Sequence, residues 1–261
     1  MATTPPQRTG YLPGDPVPDA PLRLVCFHHA GGSASVFAGW QRALGPGVAV
    51  LPVQLPGRER RYDEPRPRHL PTLLAELDAE LDPWLQAPWT CYGHSMGALL
   101  AYSLVSRRAA AGRTLPERLM VGALPAPHRP RVTVDHEGLS EEEFAQRLVE
   151  LGGISPTVRA YPRWLRAAAS LARDDLALCA GPPLRAWEPL PCPVDVFTGQ
   201  EDPLMREGDA DEWAEHTRAT FTIQRIPGGH FFPWESPDVF LGRLADCLRL
   251  AAGGMRRGSL A

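Results

Sequence analysis

The sequence contains no lysine, and all 27 of its basic residues are arginine. Thirty acidic residues outnumber them, so the chain carries a net charge of −3 and no excess of positive charge. Nothing about this balance suggests the strongly basic character that is typical of proteins that bind nucleic acids. We interpret the use of arginine in place of lysine as codon usage in a GC-rich genome, without functional meaning.

Cysteine is scarce, and its spacing is not that of a disulfide-stabilised or metal-binding domain. The five cysteines are odd in number, scattered and placed mostly in apolar runs: Cys26, Cys91, Cys179, Cys192 and Cys247. The sequence has neither a Cys-x-x-Cys pair nor a Cys/His cluster. We therefore predict reduced cysteines in the core and no metal site.

Long hydrophobic runs are also missing. No apolar run approaches the roughly 18 residues of a membrane-spanning helix, and the first residues lack the apolar segment of a secretory signal. We therefore expect a soluble, cytoplasmic protein that has neither a membrane nor a nucleic acid as a partner.

The chain does contain a regular alternation of short apolar runs and amphipathic segments. Its 261 residues suit one large α/β domain with a sizeable core. Strands are predicted at residues 22–27, 48–53, 89–92, 119–124, 194–198 and 221–226. Helices are predicted at residues 35–44, 71–85, 98–111 and 237–250. Such alternation predicts a mostly parallel central sheet with helices on both faces.

Two helical patterns interrupt this alternation. The first opens with Ser140 followed by Glu143, which is the spacing of a capping box, and the second is predicted from Pro162 to Cys179. Because both lie between strands of the sheet, we interpret residues 128–190 as a helical cap over one edge of it.

The predicted organisation has four parts. They are a flexible lead-in at 1–21, a core formed by 22–127 and 191–252, the helical insertion at 128–190 and a disordered tail at 253–261. The lead-in is rich in Pro, Thr and Gly and has no periodicity, which is why we expect it to be flexible.

One stretch organises the chemistry of the chain. Gly93-His94-Ser95-Met96-Gly97 reads Gly-x-Ser-x-Gly, which is the pattern of a nucleophile elbow. An apolar run precedes it and a helical segment without glycine or proline follows, as the elbow requires. The flanking glycines fit because a side chain would collide with the neighbouring strand or helix, while the serine takes a strained positive φ. Ser95 is therefore the candidate nucleophile, and we expect His94 to pack beside it.

A serine hydroxyl needs a base to remove its proton as it attacks. In an elbow-containing fold the acid and then the histidine follow the serine along the chain. Asp202 follows one predicted strand and His230 follows the next, so both loops open at the sheet edge that holds the elbow. We assign His230 as the general base and Asp202 as the carboxylate that orients it. Glu201 is a rival for the acid, and Asp202 before a proline is also a common turn former.

The tetrahedral intermediate also requires hydrogen-bond donors for its oxyanion. The backbone N–H of Met96, directly after the nucleophile, is the first candidate. The second is the backbone N–H of Ala30, in the glycine-rich loop after the first strand. The adjacent His28 and His29 have no third ligand nearby in the sequence, so we do not expect them to bind a metal.

Five motifs together resemble one family. They are Phe27-His28-His29-Ala30-Gly31-Gly32-Ser33, Gln54-Leu55-Pro56-Gly57-Arg58-Glu59, the elbow, Gly199-Gln200-Glu201-Asp202-Pro203 and Gly228-Gly229-His230-Phe231-Phe232. Their series resembles the type II thioesterases of polyketide and nonribosomal peptide synthesis, which are α/β-hydrolases. The resemblance covers residues 22–250. It departs at His28, where the family usually has proline, and this leaves the shape of the oxyanion loop open.

The resemblance implies hydrolysis of acyl thioesters on the phosphopantetheine arm of an acyl or peptidyl carrier protein. Such enzymes clear stalled or mis-primed acyl groups from the synthase, meet the carrier protein transiently and use no cofactor of their own. The helical insertion would then be a lid that shapes the acyl chamber. Lid residues that could line this chamber, or equally form a plain core, are Leu148, Leu151, Trp164 and Leu171.

The resemblance leaves other interpretations open. Arg58 and its neighbouring arginines crowd one loop, where they could meet the phosphate of the arm or an acidic carrier protein, or form a solvated charged loop. A chain-terminating fatty-acyl thioesterase or a small-molecule esterase would use the same scaffold. A catalytically idle protein that holds acylated carriers is an interpretation of a different class.

Overall fold

The computed structural model describes residues 9–14, 17, 19–129, 138–181 and 188–258. Six strands form its sheet: β1 (Leu22–Phe27), β2 (Val48–Pro52), β3 (Trp89–His94), β4 (Leu119–Gly122), β5 (Val194–Gly199) and β6 (Phe221–Ile226). Their order is β2-β1-β3-β4-β5-β6, and all five pairings are parallel. Most of these strands are buried along their whole length, which explains their near-continuous apolar sequences.

Eight α-helices accompany the sheet in the described residues. They are α1 (Trp40–Leu44), α2 (Leu70–Leu81), α3 (Met96–Ala110), α4 (Glu141–Glu150), α5 (Pro156–Arg159), α6 (Pro162–Cys179), α7 (Phe232–Glu235) and α8 (Pro237–Gly258). Apolar residues of α2 and α3 form one core with one face of the sheet. Residues of α1 and α8 form a second core with the other face. The predicted parallel sheet with helices on both faces is therefore confirmed.

The described part of the insertion contains helices α4, α5 and α6. Ser140 accepts a hydrogen bond from the Glu143 N–H, and the Glu143 carboxylate accepts one from the Ser140 N–H, which confirms the capping box. Helix α6 has the predicted bounds. The insertion also has its own small core, formed by Phe144, Ala145, Leu148, Ala169 and Ala172. Residues 130–137 and 182–187 of the predicted insertion lie outside the described residues.

Two predicted helices are shorter than expected. The segment predicted at 35–44 is a 3₁₀ turn, Ala34–Phe37, followed by α1. Gly39 separates them with a φ of +86°, a left-handed conformation that glycine adopts at no steric cost. Helix α2 ends at Leu81 and passes into a 3₁₀ turn that contains Pro83, because proline cannot donate the next helical hydrogen bond.

The lead-in is not flexible throughout, contrary to the prediction. Tyr11 is only 4% exposed; its hydroxyl donates to Glu76 at 2.8 Å, and its carbonyl accepts from the Gln54 N–H at 2.8 Å. The Arg61 guanidinium lies 4.3 Å from the centre of the tyrosine ring. These three contacts of Tyr11 anchor a segment whose composition by itself predicts disorder. Residues 1–8 lie outside the described part.

The predicted tail also begins too early. Helix α8 continues through residue 253 and ends at Gly258, and residues 259–261 lie outside the described part. Two glycines in a helix cost about 1 kcal/mol each relative to alanine, which is a weak stop for a helix already anchored by its packed face.

All five cysteine side chains are buried and free of disulfides. Burial raises the pKa of Cys26 and Cys91 well above the usual range of a thiol. Among the residues described, none of the helices combines the length and the apolar character that a bilayer crossing requires.

Candidate active site

Ser95 lies at the turn between β3 and α3, and its backbone is strained. Its φ of +54° and ψ of −114° are sparsely populated by residues with a side chain and cost on the order of 1–3 kcal/mol. The Ser95 N–H donates to the Gly122 carbonyl oxygen at 2.8 Å, which ties the turn to the neighbouring strand β4. The surrounding sheet thus holds the serine in a conformation that exposes its hydroxyl.

The glycines on either side of the elbow are required by close packing. A Cβ atom on Gly93 would lie 2.0 Å from the Gly97 carbonyl oxygen, and one on Gly97 would lie 2.0 Å from the Phe27 carbonyl oxygen. Neither contact can be relieved without moving backbone, because the obstructing atoms belong to backbone. The elbow therefore fits against β1 only because both positions lack a side chain.

Ser95, His230 and Asp202 form a hydrogen-bonded chain. The Ser95 Oγ lies 3.1 Å from His230 Nε2, and His230 Nδ1 lies 2.9 Å from Asp202 Oδ2. The carboxylate oxygen accepts from Nδ1, which therefore carries the ring proton, and Nε2 is left to accept from the serine hydroxyl. His230 and Asp202 are each 6% exposed, and Ser95 is half-buried, so the chain reaches solvent at the serine.

The structure distinguishes between the two candidate acids. Asp202 follows β5, and its second oxygen, Oδ1, accepts from the Leu204 N–H at 2.9 Å. The adjacent Glu201 is exposed, and its N–H donates to the Gly228 carbonyl oxygen in the loop of the histidine. The carboxylate that contacts His230 therefore belongs to Asp202.

His94 contacts the backbone of the loop that carries His230. Its Nε2 lies 2.8 Å from the His230 carbonyl oxygen and its Nδ1 lies 2.9 Å from the Tyr92 hydroxyl. A carbonyl can only accept, so Nε2 carries the proton and Nδ1 accepts from the tyrosine. Burial lowers the pKa of His94 well below its usual range, so the ring remains neutral. His94 thus packs beside the nucleophile, as expected, and orients the backbone of His230.

A largely apolar cavity lies at Ser95, between the sheet edge and the lid. Met96 and Ala30, whose N–H groups are the predicted oxyanion donors, both line it. Leu148 and Leu151, predicted from the lid sequence, line it as well. The structure thus brings the nucleophile, the base, both candidate donor residues and two lid leucines to one space.

Trp164 and Leu171 do not line this cavity, so their predicted role needs correction. The residues of α6 that reach the cavity are Leu176 and Cys179, near the C-terminal end of the helix. Trp164 lies 12 residues earlier, about 18 Å along the axis at 1.5 Å per residue, and is 52% exposed. Helical periodicity identifies the apolar face of α6 but not which end of it covers the cavity.

Arg58 is also placed differently from the prediction. Its side chain is 2% exposed, and its guanidinium forms two hydrogen bonds with the Asp175 carboxylate, at 2.7 and 2.8 Å. A guanidinium that is buried and paired in this way is available neither to a phosphate group nor to a carrier protein at the surface. No sequence signal indicated Asp175 as its partner.

His29 is a site residue that the sequence indicated only as part of the oxyanion loop. Its ring lies edge-on to the rings of Phe231 and Trp234, with centroids 5.0 and 5.1 Å apart. Nδ1 lies 2.9 Å from the Ala30 carbonyl oxygen and therefore donates to it. Burial lowers the pKa of His29 to about 4, so the ring is neutral. Among the described residues, no three His, Cys, Asp or Glu side chains are grouped to hold a metal ion.

Comparison with known proteins identifies the family. A family model for thioesterase domains matches residues 22–247. The gramicidin S biosynthesis protein GrsT of Aneurinibacillus migulanus is 31% identical over 231 residues, which cover 88% of this chain and 90% of that protein.

Solved structures agree with this assignment. The type II thioesterase BorB from the borrelidin biosynthetic cluster is 36% identical with a TM-score of 0.80, over 89% of this chain and 94% of that one. The RedJ thioesterase from the prodiginine pathway of Streptomyces coelicolor is 32% identical with a TM-score of 0.81, over 94% and 90% of the two chains. The chain therefore belongs to the thioesterase family, as its motifs predicted: it is a type II thioesterase of the α/β-hydrolase fold, an enzyme that hydrolyses acyl thioesters.

Proposed function

We propose that this thioesterase removes aberrant or stalled acyl groups from the phosphopantetheine arms of acyl or peptidyl carrier protein domains in polyketide or nonribosomal peptide synthases. The observation that carries the proposal is the hydrogen-bonded chain from Ser95 through His230 to Asp202, which opens into an apolar cavity. The relatives from biosynthetic pathways support the class of pathway, and the apolar lining supports an acyl substrate.

The first half of the reaction transfers the acyl group to the enzyme. His230 Nε2 takes the proton of the Ser95 hydroxyl as Oγ attacks the thioester carbonyl carbon. The carbonyl oxygen becomes an oxyanion that accepts hydrogen bonds from the N–H groups of Met96 and Ala30. Met96 is the first residue of the 15-residue helix α3, so the helix dipole also favours negative charge there. The intermediate collapses as the carbon–sulfur bond breaks, and His230 returns the proton to the departing pantetheine thiolate.

The second half of the reaction releases the acid. A water molecule gives its proton to His230 and attacks the acyl-enzyme ester, and the second tetrahedral intermediate expels Ser95 with that proton. Asp202 keeps the Nδ1 proton in place and stabilises the imidazolium in both halves. Every step is carried out by side chains and backbone N–H groups of this protein together with water, so the proposal includes no cofactor and no metal.

The proposal includes a transient partner and a location. The carrier protein domain presents the acylated arm at the cavity and leaves with the free thiol. Because the synthases that carry such domains work in the cytoplasm, we expect this enzyme there.

The decisive experiment compares three sets of substrates: acyl groups on a carrier protein, the same acyl groups on N-acetylcysteamine, and the corresponding oxygen esters. We expect kcat/KM to be highest for the carrier-bound thioesters and lowest for the oxygen esters, with Ser95→Ala inactive on all three. Equal turnover of oxygen esters without a preference for the carrier would instead indicate a small-molecule esterase. A strong preference for long fatty-acyl chains would indicate a chain-terminating thioesterase.

A catalytically idle carrier-binding protein is tested separately. A fluorophosphonate probe forms a covalent adduct with a serine that has an activated hydroxyl. We expect mass spectrometry to locate the adduct on Ser95 and to find none in Ser95→Ala. An unlabelled wild-type protein would support the idle alternative.

A further inference from the structure

A buried ion pair joins the lid to the core directly beside the oxyanion loop. Asp175 belongs to lid helix α6, and Arg58 belongs to the loop after β2. Both side chains are 2% exposed, and the guanidinium meets the carboxylate with two bonds of 2.7 and 2.8 Å. Such a bidentate contact fixes the relative orientation of the two groups as well as the distance between them.

Both charged groups also hold the backbone of the oxyanion loop. Asp175 Oδ2 accepts from the Gly31 N–H at 2.8 Å, and the Arg58 guanidinium donates to the Gly32 carbonyl oxygen at 3.1 Å. Gly31 directly follows Ala30, whose N–H is the proposed second oxyanion donor. The ion pair therefore contacts the loop within two residues of the group that must face the oxyanion.

The oxyanion loop and lid helix α6 are closely packed at Gly31. Gly31 has a φ of +76°, and a Cβ atom on it would lie 3.0 Å from the Ala172 Cβ on α6. Ala172 is 3% exposed and lies one turn before Asp175, on the same side of the helix. Small residues on both sides thus let the helix approach the loop until the carboxylate reaches the Gly31 N–H.

We infer that Asp175 and Arg58 are positioning residues that orient the Ala30 N–H in the oxyanion hole while α6 is packed against the core. If the lid lifts, the Arg58 guanidinium loses its counter-ion and the Gly31 N–H loses its acceptor. The oxyanion loop then lacks the contacts that shape it. Full activity consequently requires α6 to be packed against the core, although neither Asp175 nor Arg58 is among the described residues that line the cavity at Ser95. This inference rests on the Ser95 chemistry proposed above.

The chain provides a matched control in the adjacent residue. Asp174 also belongs to α6 and pairs with an arginine of the same loop, Arg66, at 2.7 Å. That pair is partly exposed and makes no contact with the oxyanion loop in the described structure. Asp175→Ala and Asp174→Ala therefore each remove one lid carboxylate and one lid–core ion pair, and only the first also removes the acceptor of the Gly31 N–H.

The experiment measures kcat and KM for an acyl-N-acetylcysteamine thioester, together with the rate at which a fluorophosphonate labels Ser95. Loss of one oxyanion donor costs about 10²–10³-fold in kcat. We expect Asp175→Ala to lower kcat and the labelling rate roughly 100-fold with KM changed less than about threefold, and Asp174→Ala to stay within about threefold of wild type. Arg58→Lys keeps the positive charge but loses the planar guanidinium that binds both carboxylate oxygens. Its kcat should therefore lie between those of the two aspartate variants.

Melting temperatures separate this positioning role from a structural one. If Asp175→Ala melts earlier but keeps wild-type kcat and labelling at a temperature where it is folded, the inference is overturned. It is also overturned if Asp174→Ala loses as much activity as Asp175→Ala. Should Asp175→Ala fail to fold, Arg58→Lys decides by the same criteria. A wild-type protein that neither hydrolyses the thioester nor labels at Ser95 would instead refute the proposed function, and this inference with it.

Discussion

Replacing Asp202 with asparagine tests the proposed base most directly, because the structure determines which atom of the new side chain would face the histidine. Asp202 Oδ1 accepts from the Leu204 N–H at 2.9 Å, and only an oxygen can replace it there. The amide NH₂ of Asp202→Asn must therefore occupy the place of Oδ2, 2.9 Å from His230 Nδ1. Two donors would then face each other unless Nδ1 gives up its proton.

The imidazole avoids this conflict by moving its proton to Nε2. In that tautomer the nitrogen that lies 3.1 Å from Ser95 Oγ is a donor, and it cannot take the hydroxyl proton. We expect kcat to fall on the order of 10⁴-fold, which corresponds to roughly 5 kcal/mol in the activation free energy at 1.36 kcal/mol per factor of ten. Because asparagine has nearly the same shape as aspartate, the fold should persist.

The assay is release of the thiol from an acyl thioester, detected with a thiol reagent. All five cysteines of the protein are buried, so the folded enzyme adds little background. Glu201→Gln is the matched control, since it removes the neighbouring carboxylate, which is exposed. We expect it to retain activity within about twofold of wild type, as substitutions at exposed positions usually have small effects.

Two results would refute this reasoning. If Asp202→Asn kept activity within tenfold of wild type, the tautomer of His230 would not depend on this carboxylate. If Glu201→Gln lost activity and Asp202→Asn did not, the acid would be the other residue. Either result would require a different arrangement of the loops after β5 and β6.

Three further predictions follow from strain, packing and burial. Ser95→Gly should abolish turnover yet raise the melting temperature in a thermal scan, because glycine tolerates a φ of +54°; an unchanged or lower melting temperature would contradict the strain. Gly97→Ala should destabilise the protein by at least about 2 kcal/mol in urea, because its Cβ would lie 2.0 Å from a backbone oxygen. Gly242→Ala, with open space around its Cβ, is the control, and equal midpoints would contradict the packing argument. The free energy of unfolding should fall as the pH drops from 6.5 to 5, because burial lowers the pKa of His29 and His216 to about 4 and the unfolded chain binds protons that the native state does not. Each histidine contributes up to about 1.4 kcal/mol per pH unit, and denaturation curves that do not change over this range would refute the argument.

Local sequence patterns predicted most of the secondary structure. The bounds of β1, β6 and α6 match the predictions because the periodicity of apolar residues and the flanking turn residues mark where these elements begin and end. The errors lie where a local pattern was opposed by a contact from elsewhere. Tyr11 is buried against Glu76 and Gln54, and this contact orders a segment whose composition predicts flexibility.

The candidate site divides in the same way. Ser95, Asp202 and His230 could be selected from the sequence because each follows a strand of a parallel sheet, and the ends of such strands meet at one edge. Their chain order completed the selection. The choice of Asp202 over Glu201 needed coordinates, since adjacent residues in a loop differ only in the direction of their side chains.

The sequence by itself thus determined the fold, the family and the three residues of the hydrogen-bonded chain, because these depend on short patterns and on the regular geometry of a parallel sheet. Only the tertiary structure decided that Arg58 pairs with Asp175, 117 positions away, and that the cavity lies under the C-terminal end of α6. The physical reason is that burial and partner choice depend on which elements the folded chain brings together. The local sequence around an arginine in a charged loop is the same whether its side chain faces water or a buried carboxylate.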